Sequence, residues 1–130
     1  MRTRTRVCLL ALCAALLTGC KNIAAAQKTK DGRLFVPEWN LTLRAAGPLP
    51  DSLSAAGIRA HFLRRGEAEN AFRCRIEQVI ESPFDVLAFV RPEGAPRPLC
   101  WVLDKADFAA LDGTEELTLS VAPEDILPLC

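Results

Sequence analysis

Apolar and polar residues alternate with a period of two over much of the chain, broken by turn residues at spacings of roughly ten. That is the rhythm of short strands in a small all-β barrel or sandwich. The clearest case is Phe72, Cys74 and Ile76, which interleave with Arg73, Arg75 and Glu77 to give one dry face and one wet one. The phase slips at Gln78-Val79-Ile80, which predicts a bulge or the sharp coiling of a small barrel. Ser82-Pro83 makes a corner, and the nearly unbroken apolar run Phe84 to Val90 predicts a strand buried on both faces.

Around this centre the remaining elements are shorter. Asn22 to Thr29 runs into Lys30-Asp31-Gly32, a tight-turn signal. Arg33 to Trp39 is rich in strand formers, with Pro37 marking an edge or a bulge. Leu41-Thr42-Leu43 alternates, and Gly47 to Asp51 is a loop. Gly57 to Leu63 reads as a strand followed by a polar loop over Arg64 to Asn70, and Pro98 to Leu103 as another strand. Asp104 caps a short helix over Lys105 to Leu111, stopped at Asp112-Gly113. Leu117, Leu119 and Val121 alternate in a last strand, and Pro123 with Glu124 and Asp125 opens a final helical turn. The predicted fold is all-β, a small barrel with one or two short helical turns.

The first twenty residues follow a different rule. A basic start (Arg2, Arg4, Arg6) precedes the apolar run Val7 to Leu17, which is too short to cross a bilayer of ~30 Å as a helix. Basic start, short apolar run and small residues before a cysteine make a secretory signal. Leu17-Thr18-Gly19-Cys20 resembles the lipobox of bacterial lipoproteins, in which the thiol of Cys20 would be acylated and become the new N-terminus. Two acyl chains anchor stably where one does not. The chain thus divides into residues 1–20, signal-peptide-like, and a β domain over 21–130.

Charge and cysteine content narrow the function classes. After Cys20 there are thirteen Lys and Arg against sixteen Asp and Glu, a net charge of −3. A sequence-independent nucleic-acid binder needs a basic surface, so that class is not expected. Trp39, Trp101 and the six Phe sit mostly in apolar strands and read as core rather than as a base-stacking platform. Cys74, Cys100 and Cys130 are scattered singly with only His61 as an imidazole partner, so no metal site is expected. In an exported chain a Cys74–Cys100 disulfide is an option; otherwise these cysteines are small core residues. No Ser/His/Asp or Cys/His constellation and no G-x-x-x-x-G-K-[ST] loop is present, so no enzyme activity, no ATP chemistry and no cofactor are expected.

Several ordered segments carry a family resemblance. Gly57-Ile58-Arg59-Ala60-His61-Phe62-Leu63, Cys74-Arg75-Ile76 running into Val79-Ile80-Glu81-Ser82-Pro83-Phe84, and the strand–short helix–strand ending from Leu99 to Leu129 resemble the accessory (TOBE-type) β domain of ABC importer ATPases of the molybdate branch. Leu17-Thr18-Gly19-Cys20-Lys21-Asn22-Ile23 resembles the junction that leads from the ATPase domain into the first barrel strand. The resemblance implies an oligonucleotide-binding-type β fold without its nucleotide-binding domain. It also implies a non-catalytic regulatory role at the cytoplasmic face of the inner membrane, through transporter-subunit contact, self-association or sensing of an oxyanion.

On the matching segments Lys21, Asn22, Arg59 and His61 are the candidate ligands for molybdate or tungstate, since an oxyanion needs polar and basic donors. The plain alternative for Arg59 and His61, on one face of a period-two strand, is a solvated or interface surface. For Lys21 and Asn22 it is an ordinary turn into the first strand. The competing functional reading is an envelope lipoprotein held in the membrane by Cys20, using the same barrel as a binding or scaffold module.

Overall fold

A computed structural model describes residues 21–130; the signal-peptide-like segment and Cys20 lie outside the described residues. The chain forms β1 (Lys21–Ala25), β2 (Gln27–Lys28), β3 (Leu34–Val36), β4 (Leu41–Leu43), β5 (Ala55–Arg59), β6 (Arg64–Arg65), β7 (Phe72–Glu81), β8 (Asp85–Pro92), β9 (Leu99–Asp104), helix α1 (Lys105–Leu111), β10 (Glu116–Ser120) and β11 (Ile126–Leu129). Single 3₁₀ turns occupy Ala60–Phe62 and Pro123–Asp125. All strand pairs are antiparallel, in three sheets ordered β1-β5-β11, β6-β10-β7-β8-β9 and β2-β3-β4. The result is a small OB-like β fold, a curled antiparallel half-barrel.

The long hairpin β7–β8 is the spine. Its register slips between Ile76 and Gln78, the bulge that the broken alternation predicts. β8 departs from expectation. Its burial alternates, with Val86, Ala88, Val90 and Pro92 inside, instead of being buried on both faces, and Phe84 stands at the hairpin corner 89% exposed. The five-stranded sheet covers the core with one face only, so the outward residues of an apolar run find no second layer.

The core draws one buried set from each sheet: Leu34, Val36 and Leu43; Ile58; Val86, Val90, Leu99 and Leu119. Trp39 and Trp101 are both buried. The Trp101 indole N–H donates to the Leu63 carbonyl at 3.0 Å, giving that side chain's one polar atom its partner. Asp104 caps α1 by accepting from the Asp107 amide at 2.6 Å, and Asp112 and Gly113 take positive φ to end it. Arg33–Trp39, expected as one strand, ends at Val36 because Pro37 opens a turn in which the Trp39 and Asn40 amides donate back to Val36 and Pro37.

Asparagine side chains join the sheets. Buried Asn22 on β1 donates from Nδ2 to the Cys100 carbonyl (2.8 Å) and accepts the Cys100 amide on Oδ1 (2.6 Å). A carboxamide offers the same donor–acceptor pair as a peptide group, so Asn22 acts as one residue of a neighbouring strand along the outer edge of β9. Asn70 does the same to Arg44, accepting its amide at 2.8 Å and donating to its carbonyl at 3.0 Å, with a further bond to the Val121 carbonyl at 3.1 Å. Asn40 donates to the Glu93 carbonyl at 3.0 Å. A Cβ on Gly94 would stand 2.8 Å from the Asn40 amide nitrogen, and Gly94 has φ +71°, so only glycine fits that turn without strain.

Cys74 and Cys100 do not form the disulfide considered for an exported chain. They lie on β7 and β9, with β8 between them, and face Pro92 and Phe89 of that strand. Two strand spacings of ~4.8 Å exceed the span a disulfide bridges.

Asn22→Ala is expected to lower stability by about 2–3 kcal/mol, because it strands both backbone groups of Cys100 at a part-buried edge. A urea titration would show a lower midpoint at unchanged slope. Asn70→Ala, in a more exposed setting, is expected to cost less.

Candidate functional site

The basic residues singled out in the sequence converge on the stretch that links two sheets. β5 is buried from Ala55 through Ile58 and surfaces at Arg59, which stands across from Lys21 in the β1–β5 register. The chain then leaves the sheet. Ala60–Phe62 is a 3₁₀ turn, not the continuation of a strand from Gly57 to Leu63, so Arg59 and His61 do not share a period-two face. Buried Ala60 and Leu63 anchor the turn. The exposed His61 ring packs edge-on to Phe62 at 4.5 Å between centroids, and the Arg59 guanidinium lies 6.0 Å over the same Phe62 ring. Phe62 therefore holds two basic groups near one spot, by cation–π attraction in the case of Arg59.

Beyond Leu63 the sequence predicts a loop, but Arg64 and Arg65 form β6, an edge strand paired with Ser120 and Leu119 of β10. This brings them into play as residues that the sequence reading passed over. A cleft of about 590 Å³ opens here, lined by His61, Arg64 and Arg65 from this stretch and by Asp85, Asp104 and Asp107 from β8, β9 and α1. Trp101 and Leu103 contribute its apolar lining. It is the open seam of the half-barrel, since β6 and β9 are the two edges of the same five-stranded sheet. The signal for it in the sequence was the density of charge in Arg59, His61, Arg64 and Arg65 without an intervening carboxylate.

The two walls do not neutralise each other. Neither arginine forms an ion pair with any of the three aspartates among the described residues, whereas Arg44, Arg75, Arg91 and Arg97 each pair with a glutamate. Asp104 is occupied by the helix cap, and Asp85 accepts from the Ser82 hydroxyl at 2.6 Å. Arg64 and Arg65 thus keep their donors available to a ligand.

Of the four ligand candidates, Lys21 and Arg59 are neighbours across two strands, and His61 opens onto the cleft. Asn22 sits in β1 rather than in a turn, and its carboxamide is used on Cys100. Its Oδ1 and one of its two Nδ2 hydrogens are thereby committed, leaving a single N–H at a buried position.

A second charged surface lies on the β7–β8 face. Arg75 pairs with Glu116 at 3.0 Å and Arg91 with Glu77 at 2.6 Å. The hydrogen bonds from these guanidinium groups hold Glu77 and Glu116 below the usual carboxylate range. These pairs are exposed and contribute little to stability. Among the described residues no group of three His, Cys, Asp or Glu side chains is arranged to hold a metal ion, and no helix is long and apolar enough to cross a membrane.

No protein-family model matches this chain, and no curated protein matches it. Among solved structures it is similar to the cytoplasmic molybdate-binding protein ModG, in a crystal form with molybdate bound. The TM-score is 0.61 at 11% sequence identity, over 82% of this chain and 93% of that one. At that identity the likeness establishes a common fold.

Burial pushes the Cys74 thiol up to about 12. It is therefore expected to stay unmodified by iodoacetamide at pH 8 in the folded protein, while exposed Cys130 is alkylated. Peptide mass mapping reads both. Because the folded chain keeps this proton where the unfolded chain releases it, the contribution of Cys74 to stability is full below about pH 9 and is lost as pH rises toward 12.

Proposed function

We propose that this chain is a non-catalytic binding domain for a tetrahedral oxyanion of the molybdate or tungstate class. In this reading it serves as the accessory, regulatory module of a molybdate-type ABC importer ATPase and contacts transporter subunits. The observation that carries the proposal is the fold shared with a molybdate-binding protein over most of both chains. The basic stretch then supplies the place. Arg64 and Arg65 offer planar, always-charged donors suited to an oxyanion, with His61 beside them and Arg59 and Lys21 at the adjoining strand ends. The aspartates across the cleft oppose a dianion and so limit how tightly it is held, as fits a domain that reports a ligand and releases it.

Calorimetry with sodium molybdate on the purified chain tests this. Binding is expected, and Arg64→Ala with Arg65→Ala together should weaken it at least tenfold, about 1.4 kcal/mol. Asp85→Asn should strengthen it. Absence of both heat and thermal stabilisation would leave only the protein-contact role.

A second reading rests on Leu17-Thr18-Gly19-Cys20. Acylation at Cys20 would tether the β domain directly, since β1 begins at the next residue, and the chain would then be an envelope lipoprotein. Intact mass separates the two: loss of residues 1–19 with added acyl mass on Cys20, against a retained N-terminus and a free thiol. Under the lipoprotein reading Cys20→Ser should release the protein from membranes.

A further inference from the structure

The five-stranded sheet stops one strand short of closing. Neighbours along β6-β10-β7-β8-β9 are antiparallel at every step, so the two edge strands, β6 and β9, run in the same sense. A closed sheet with only antiparallel neighbours needs an even number of strands, and this one has five. Pairing β6 directly with β9 would break the pattern. A single strand between them, antiparallel to both, completes it.

The backbone along the seam is turned toward such a strand. Alternate residues of a strand direct their N–H and C=O to the same side. Asn22 takes both groups of Cys100 from outside the sheet, so Val102, two residues on, offers its own pair to the seam. No bond to that pair is present among the described residues. On β6 the Gly66 amide donates to the Thr118 carbonyl at 2.9 Å, which turns Arg64 and Gly66 toward β10 and Arg65 toward the seam. The Leu63 carbonyl faces the same way and accepts the Trp101 indole N–H, so one tryptophan side chain spans the gap as its floor. Asn22 shows what the seam accepts, since at Cys100 a carboxamide stands in for one residue of the absent strand.

We infer that the seam takes an extended peptide segment of another protein as a strand antiparallel to β6 and β9, basic at its N-terminal end and acidic at its C-terminal end. In this mode of recognition main-chain bonds to an open edge give affinity and side chains give selectivity. The polarity follows from the two walls. Asp104 ends β9 and Asp107 follows in α1, so carboxylates gather where β9 runs out, whereas His61 and Arg64 lie where β6 begins. An antiparallel segment therefore enters at the carboxylate end and leaves at the cationic end. Asp85 stands directly across from Asp104 in the β8–β9 register, and neither enters an ion pair among the described residues. A basic residue of the segment relieves that like-charge contact. The inference shares the cleft with the oxyanion reading but not its basis, which here is backbone edges and strand direction.

Two synthetic pentapeptides of one composition, acetylated and amidated, test this: Lys-Val-Thr-Val-Glu and its reverse, Glu-Val-Thr-Val-Lys. Each is titrated into the isotope-labelled full chain while the amide resonances are followed. The first is expected to shift the Val102 and Arg65 amides and to bind at least tenfold more tightly than the second. Val102→Pro removes a seam-facing N–H and spares the ladder with β8, a place where an edge strand tolerates proline. It should weaken the first peptide at least tenfold and leave the melting temperature and molybdate binding unchanged. N-methylation of the peptide's threonine, which leaves the protein untouched, should weaken it likewise. Equal affinity for the two peptides, indifference to N-methylation, or no shift at about 1 mM peptide would overturn the inference. So would slow hydrogen exchange of the Val102 amide in the chain alone, the sign of a seam already filled by residues 1–20 or by a second copy. Molybdate binding without peptide binding sinks this inference and leaves the oxyanion reading standing; peptide binding without molybdate binding does the reverse.

Discussion

The fold depends on a constraint common to all open sheets: the backbone groups along an edge need partners, and in a barrel of short strands there are more edges than strands to cover them. This chain meets it with asparagine. Asn22 and Asn70 each grip both backbone groups of a single residue, Cys100 and Arg44, and Asn40 takes one carbonyl at Glu93. Those are the three asparagines of the sequence. Each bond costs little chain to make, since one side chain does the work of a strand residue. Together they tie β1 to β9, the end of β4 to the loop before β7, and the turn after β3 to the turn after β8.

Closing the edges in this way is selective. At Cys100 the seam is shut by Asn22, and one residue on Trp101 reaches Leu63. Past that point no strand pairing among the described residues joins β9 to β6, and the sheet parts into the cleft where His61, Arg64 and Arg65 face three aspartates. The position of the candidate ligand site is therefore a by-product of where edge closure stops. The same holds for β7. Where β10 ends, the hairpin continues with no further strand beside β7 among the described residues.

Arg64 and Arg65 lie on an edge strand without ion-pair partners, while Arg44, Arg75, Arg91 and Arg97 are all satisfied by carboxylates. That leaves the charge of these two guanidinium groups to a ligand in the cleft. The shared fold with a molybdate-binding protein is what turns that charge into a proposal about oxyanions.

Local rules alone determined much of this protein. Period-two alternation gave the wet and dry faces of β7, its loss at Gln78 gave the bulge, and Asp104 and Gly113 gave the bounds of α1, because each depends on the residues within a turn or two. Local pattern failed wherever the answer lay in another strand. The apolar run of β8 read as doubly buried, because sequence does not say that only one layer covers the sheet. Gly57 to Leu63 read as one strand, but Ala60 and Leu63 are drawn into the core and bend it into a 3₁₀ turn, which sets His61 on the cleft with Arg64 and Arg65 while Phe62 keeps Arg59 close by. Asn22 looked like a ligand residue at a turn, and only its partner seventy-eight residues away shows that it also ties β1 to β9. Tertiary structure decided these because burial and edge pairing are properties of two segments at once, and neither segment encodes its distance from the other.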